Sequence, residues 1–169
     1  GYFDAEVQVQ TLAQRADGAP TRVRVQVRPG PRTLIGRFDL EVEGELARAA
    51  ARGEPEAVQL LASLRAGWPL KPGAPFRNPD WSDAKAAALT RLRAAGYAVA
   101  DWSGTTAQVD APRQRVRLFL VADSGPLFRT GDLAIQGLQL HDEAAVRHLA
   151  GFGPGHPVNE SLLLAFPDR

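Results

Sequence analysis

Cysteine is absent from the 169 residues, which excludes a disulfide framework. This absence suits an oxidising compartment, but it equally suits any protein that needs no thiol. Lysine occurs only at 71 and 85, so arginine supplies nearly all the positive charge, and the net charge is only +1. Such a balance argues against nucleic acid as a partner. Apolar runs such as 118–122 are too short to span a bilayer, and no signal segment opens the chain, so we expect a soluble fragment.

One small module is repeated along the chain. Gly1-Tyr2 recurs at Gly96-Tyr97, and Gly30-Pro31 recurs at Gly125-Pro126, in both cases 95 residues later. The alternation of apolar residues stays in phase between the two copies. A repeat at a fixed period indicates an array of structural units. We therefore predict a partial module at 1–31, a complete module at 32–126 and the beginning of another at 127–169.

The complete module has the pattern of an α+β fold. Period-two alternation predicts a strand at 36–44, and three-residue apolar spacing predicts helices further along. After Gly96-Tyr97 come two stretches that should pair as a hairpin. The predicted elements are a strand at 36–44, a short helix at 45–52, a helix from Glu54-Pro55 to Gly67, a helix at 81–95 capped by Asn78 or Asp80, and strands at 98–109 and 116–122. The stretch 116–122 is the most continuously apolar and should lie in the middle of the sheet, with the other two strands at its edges.

These elements resemble a polypeptide-transport-associated (POTRA) domain, of the kind found in the Omp85 superfamily of outer-membrane assembly proteins. Such domains have the order β-α-α-β-β, with a three-stranded mixed sheet and two helices on one face. Within the superfamily the residues are most similar to the TamA family, the outer-membrane subunits of the translocation and assembly module. The motifs that carry this similarity are Gly1-Tyr2-Phe3-Asp4-Ala5, Pro75-Phe76 with Trp81 and Lys85, and Asp123-Ser124-Gly125-Pro126 with Gly131 to Gly137.

The resemblance implies a place on the periplasmic face of a Gram-negative outer membrane, with a C-terminal membrane β-barrel outside this sequence. It also implies two kinds of partner: nascent outer-membrane proteins such as autotransporters, and an inner-membrane-anchored companion subunit of the TamB type. A two-partner secretion transporter or a general barrel-assembly subunit is an alternative within the same superfamily. The implied role is to scaffold protein insertion, without a cofactor and without catalysis.

The predicted edge strand 98–109 offers a binding mechanism, because an unpaired edge presents free amide and carbonyl groups to a strand from another chain. By alignment with the first hairpin, Ala98, Ala100 and Trp102 should point inward. Val99, Asp101 and Ser103 should then lie on the outer face, where they are candidate partner-binding residues. Phe119 and Val121 are further candidates, because their counterparts Arg24 and Gln26 are polar; a second buried face in the same module is the alternative explanation.

Other functional classes find less support in the residues. His141 and His148 are seven residues apart and His141, Asp142 and Glu143 are adjacent, which does not give the spacing of a compact metal site, so we expect no metal. Ser124 has Pro29 as its counterpart in the first hairpin and is therefore expected to be dispensable. No nucleophile motif or phosphate-binding loop is present, which disfavours an enzyme. The alternating Arg22, Arg24 and Arg28 leave an RNA-binding or ligand-binding α+β domain as an alternative.

Overall fold

The computed structural model describes residues 1–12, 22–137, 142–150 and 153–158. The described elements form one two-stranded sheet, one three-stranded sheet and four helices. In chain order they are β1 (Glu6–Leu12), β2 (Arg22–Arg28), β3 (Leu34–Glu43), α1 (Glu45–Ala51), α2 (Pro55–Ala66), α3 (Asn78–Ala94), β4 (Asp101–Asp110), β5 (Arg115–Asp123) and α4 (Glu143–Ala150).

The three-stranded sheet has the order β3-β5-β4, with β3 parallel and β4 antiparallel to the central strand. The predicted α+β class and the mixed sheet are confirmed. The apolar β5 lies in the middle of the sheet, as predicted. A strand in this position has a hydrogen-bonded neighbour on each side, and this suits the most continuously apolar of the three strands. The short helix predicted after the first strand is present as α1, so three helices accompany this sheet.

A single core joins one face of this sheet to the helices. Leu118 and Leu120 of β5 and Leu92 of α3 are buried in it. Two of the three tryptophans are buried there as well: the ring of Trp68 stacks on Phe38 at 4.7 Å and meets Trp81 edge to face at 6.0 Å. The third, at position 102, is partly buried against the same core. All three tryptophans therefore contribute to the core.

The helix starts differ from the predictions at two places. Helix α3 begins at Asn78, and neither Asn78 nor Asp80 caps it, because Arg77 occupies the cap position and Pro79 lies in the first turn. Helix α1 has no side-chain cap from its own segment, and instead the Leu46 amide donates to the Ser124 hydroxyl at 3.0 Å. Ser124 is fully buried, so its expected dispensability is wrong. Its counterpart in the first hairpin is Pro29.

Equivalent backbone hydrogen bonds occur at both junctions of the repeat. The Thr33 amide donates to the Gly1 carbonyl at 3.1 Å, and the Phe128 amide donates to the Gly96 carbonyl at 2.9 Å. Both pairs are related by the 95-residue offset. A second set joins each following segment to a Pro-Gly-x-Pro loop, at 72–75 and again at 154–157. The sequence Pro-Gly-x-Pro thus makes equivalent contacts after both junctions, which supports the division into modules that we propose.

Among the described residues, no helix covers the hairpin of β1 and β2. In the hairpin of β1 and β2, Val23, Val25 and Val27 are exposed, whereas their counterparts on β5 are buried beneath the helices. Residues 131–137, in the segment expected to begin another module, pair with no described strand. Of the helical region expected in this part of the chain, α4 is present.

Candidate functional site

The three-stranded sheet has two edge strands, β3 and β4. On its outer side β4 pairs with no described strand, whereas the start of β3 is hydrogen-bonded to the loop at 73–76. The edge strand predicted at 98–109 is correct in place but wrong at its start. Residues 98–100 form a turn, closed by the Ala100 amide donating to the Tyr97 carbonyl at 2.9 Å. Ala100 is buried as predicted, but Ala98 is exposed, because strand alternation does not apply within a turn.

Val99 lies in this turn and not on the edge. Its side chain is exposed, yet it sits beside Gly125, where an added Cβ would come within 2.6 Å of the valine Cγ2. In the first copy, a Cβ added at Gly30 would lie 2.7 Å from the carbonyl oxygen of Asp4. Val99 therefore lies at the second junction of the repeat, and it does not take part in the pairing of β4 with β5.

Asp101 and Ser103 occupy the irregular end of β4. Asp101 accepts a hydrogen bond from the amide of Trp102, the next residue, at 2.8 Å. Ser103 is the extra residue of a bulge, and its hydroxyl donates to Glu43 on β3 at 2.5 Å and to the Val121 carbonyl at 3.3 Å. Both residues are exposed, as predicted, but a bulge interrupts the even spacing that strand pairing requires.

Beyond the bulge, β4 is regular from Gly104 to Asp110. This stretch pairs residue by residue with β5, and its other side faces no described strand. Thr105 and Thr106 are both exposed, although they point to opposite faces. This stretch lies within the predicted edge 98–109, but the residue pattern alone does not mark it as the regular part, because a bulge depends on the register with the neighbouring strand.

Phe119 and Val121 lie on the sheet face away from the helices. Phe119, which is 40% exposed, has Asp39 of β3 on one side and Thr106 of β4 on the other. Val121 is partly buried in the next row. Because Phe119 is exposed, this face is not a second buried face within the module. The two residues form a small apolar patch in the middle of a polar face.

Two ion pairs and two further arginines lie near this patch. Arg37 lies 2.7 Å from Asp39, and Arg113 lies 2.9 Å from Asp110. The hydrogen bonds from Arg113 lower the pKa of the Asp110 carboxyl below its ordinary value. Both pairs are exposed and contribute little to stability. Arg115 and Arg117 are also exposed and form no ion pair with a described residue.

Other candidate sites receive less support. Among the described residues, no group of three or more histidine, cysteine, aspartate or glutamate side chains could hold a metal ion. His141 lies outside the described residues, and His148 is exposed on α4. In the described ranges, none of the helices has the length and hydropathy needed to cross a membrane.

The arginines of the first hairpin do not form a continuous track. Arg28 lies 4.0 Å from Glu6 across the hairpin, so an acidic residue stands beside one of the three. Arg24 is exposed, and the side chain of Arg22 lies outside the described part of the chain. The carboxylate of Glu6 lowers the positive potential that phosphate binding would use at Arg28.

The comparisons with known proteins agree with this architecture. No protein-family model and no curated protein matches the sequence. Among solved structures, the chain is similar to BamA from Haemophilus ducreyi lacking POTRA domains 1–3, with a TM-score of 0.50 and 15% identity over 78% of this chain and 23% of the other. The fold is POTRA-like.

Two further structures are similar at lower TM-scores. BamA POTRA3-5 of Haemophilus influenzae has a TM-score of 0.47 and 20% identity over 98% of this chain, and POTRA4 of the same protein has a TM-score of 0.37 and 23% identity over 57% of it. The chain spans 60% of the length of the first and 95% of the second.

Proposed function

We propose that this chain is part of a periplasmic POTRA scaffold that assists outer-membrane protein assembly by adding a client strand to β4. The observation that carries the proposal is the regular, unpaired edge from Gly104 to Asp110. Backbone groups at such an edge bind an extended segment largely independently of its sequence. That tolerance suits a scaffold with many clients. The exposed Phe119 and the partly buried Val121 add a side-chain contact on the face beside this edge.

In its finer form the proposal places the chain in the TamA family of the Omp85 superfamily. The sequence motifs favour that branch, and the POTRA-like fold supports the superfamily. The modules would be 1–31, 32–126 and 127–169, with the outer-membrane β-barrel beyond them. The partners would be nascent outer-membrane proteins such as autotransporters and a TamB-like companion. Co-purification from the periplasm with such a companion, but not with lipoprotein subunits of the general assembly machinery, tests this branch.

Adjacent threonines allow a test of strand addition. In an antiparallel ladder, the amides of neighbouring residues point alternately towards the partner strand and towards the free edge. Proline removes the amide donor. One of the two variants Thr105→Pro and Thr106→Pro therefore loses an edge-facing donor, while the other breaks the pairing of β4 with β5. We expect the variant that loses the edge-facing donor to stay folded and to lose binding of an uncharged β-strand peptide.

The readout is amide shift mapping during titration with the uncharged peptide. In the unmodified chain the shifted amides should cluster at 104–110, and affinity should change little with salt because no phosphate or charge contact is made. Thr105→Ala and Thr106→Ala are the matched controls, since they keep the amide and change only the side chain. If shifts cluster elsewhere in the folded chain, or if the folded proline variant binds normally, strand addition at this edge is wrong.

A further inference from the structure

The outer face of the three-stranded sheet, the face away from the helices, is electrically polarised along its strands. Strands β3 and β5 are parallel, and both run from basic to acidic residues on this face. Their charge gradients therefore add. The basic end holds Arg37, Arg113, Arg115 and Arg117 together with one acidic residue, Asp110, and the acidic end holds Glu41, Glu43, Asp101 and Asp123.

The basic end reaches the free edge. Arg113, Arg115 and Arg117 line a concavity of about 800 Å³ that also has Gln108 and Asp110 of β4 on its wall. Arg113 is the only one of these arginines with an ion-pair partner among the described residues, so two guanidinium groups are available to a carboxylate. A side chain from a strand beside β4 would enter this concavity.

The acidic end also reaches the free edge. Asp101 is the first residue of β4 itself, and it pairs across the sheet with Asp123 of β5. Both carboxylates are exposed, and each accepts a hydrogen bond only from a nearby backbone amide, Trp102 and Gly125 respectively. Their negative charges are therefore not neutralised by a described cation. A basic side chain of an added strand would be attracted to this end.

We propose that this charge order sets the direction in which a client strand is added to β4. The inference rests on the proposed function, since it concerns the same edge. A client with acidic residues near its N-terminus and basic residues near its C-terminus binds antiparallel to β4, with its N-terminus at Asp110. A client with the reverse order binds parallel. The sheet therefore selects orientation by charge, while the backbone supplies the affinity.

The expected preference is modest and depends on salt. Side chains of an added strand lie about 10 Å from those of β5, which is two strand spacings. Several such pairs at that distance together give roughly a tenfold preference at low ionic strength. The screening length falls to about 3 Å at 1 M salt, where the preference should disappear while binding persists.

The experiment uses two strand peptides with the same composition and opposite charge order, each with a nitroxide label at its N-terminus. The peptide with acidic residues first should broaden the amides of 108–110, and the peptide with basic residues first should broaden those of 101–104. Because the two peptides share one backbone pattern, an intrinsic preference for antiparallel pairing affects both equally. The difference between them measures the effect of charge.

A pair of charge-reversing variants completes the design. Arg117→Glu should reduce the orientation preference at least threefold, whereas Arg65→Glu, at an exposed position on α2, makes the same change in net charge and should leave it unaltered. If both peptides bind at β4 in the same orientation, the orientation proposal is overturned and strand addition stands. If neither peptide nor an uncharged one perturbs 104–110, the proposed function itself fails.

Discussion

Ser124 stabilises the start of a helix that belongs to a distant part of the sequence. Its hydroxyl accepts from the Leu46 amide, and the neighbouring Gly125 carbonyl accepts from the Glu45 amide at 3.1 Å. The first amides of a helix have no partner within the helix and need one from elsewhere. The end of β5 therefore does for α1 what a cap residue normally does, and it joins the two elements in the core.

Ser124→Ala should lower the free energy of unfolding by about 1–2 kcal/mol, because a buried helix amide loses its acceptor. Ser63→Ala is the control: this serine is exposed, bonds a carbonyl within its own helix, and its replacement should change stability by less than about 0.5 kcal/mol. Urea denaturation followed by circular dichroism measures both. If the two replacements lower the free energy of unfolding equally, the hydrogen bond from Leu46 to Ser124 contributes nothing to stability.

Tyr97 makes stability depend on pH in the alkaline range. Burial, and to a lesser extent the charge of Glu45, raise the pKa of this phenol above its ordinary value of 10.0. The folded state therefore favours the neutral phenol, and its contribution is present below pH 10 and is lost as the pH rises towards the folded pKa. Tyr97→Phe should flatten the decrease of Tm above pH 10. If the Tm of this variant decreases as steeply as that of the unmodified chain, groups other than Tyr97 cause the decrease.

At the scale of elements, the sequence predicted the strand order and the helices because apolar periodicity reports which face is buried. It failed at the start of β4, where the spacing of Ala98, Ala100 and Trp102 imitates a strand but belongs partly to a turn. The charge polarity of the outer face could not be predicted either. It depends on the register that places Arg37 beside Arg117 and Glu43 beside Asp123, and register is a tertiary property.

Two leucines test the core that these elements share. Leu92 of α3 and Leu118 of β5 are buried, as their spacing predicted, and replacing either with alanine should lower the free energy of unfolding by about 2–5 kcal/mol. Val58→Ala is the control, because this valine is exposed on α2. Thermal or urea unfolding gives the values, and a loss below about 0.5 kcal/mol at either leucine would contradict the assignment.

At the scale of the whole molecule, the junctions should hold successive modules at nearly fixed angles. Gly96 has φ +99°, and an added Cβ there would lie 2.8 Å from Leu127 Cδ1 and 3.0 Å from Pro157 Cβ. Phe3 and Phe76 pack across the first junction, with ring centroids 6.1 Å apart. Such close packing leaves little freedom for rotation. Small-angle scattering should give a narrow distribution of extents, and a broad one would contradict a rigid arm.

Gly96→Ala should widen that distribution, because the new methyl group must displace the following segment. Gly53→Ala is the matched control: its φ is +79°, but nothing lies within 4 Å of the added Cβ. Both substitutions lower the free energy of unfolding by about 1–2 kcal/mol, because alanine disfavours the left-handed backbone conformation of these glycines. Only the junction variant should lose more than this and alter the scattering. If the two behave alike, the junction contact does not restrict the modules.

The parallel pairing of β3 with β5 also has a kinetic consequence. The β4–β5 hairpin is closed by the four residues between Asp110 and Arg115. Pairing of Ile35 with Val116, in contrast, closes a segment that contains all three helices. Closing so long a segment is entropically unfavourable until the helices have collapsed onto the hairpin. Strand β3 therefore joins last as the chain folds and opens first in native-state fluctuations. Amide hydrogen exchange should be faster along β3 than along β5, even though both belong to one sheet.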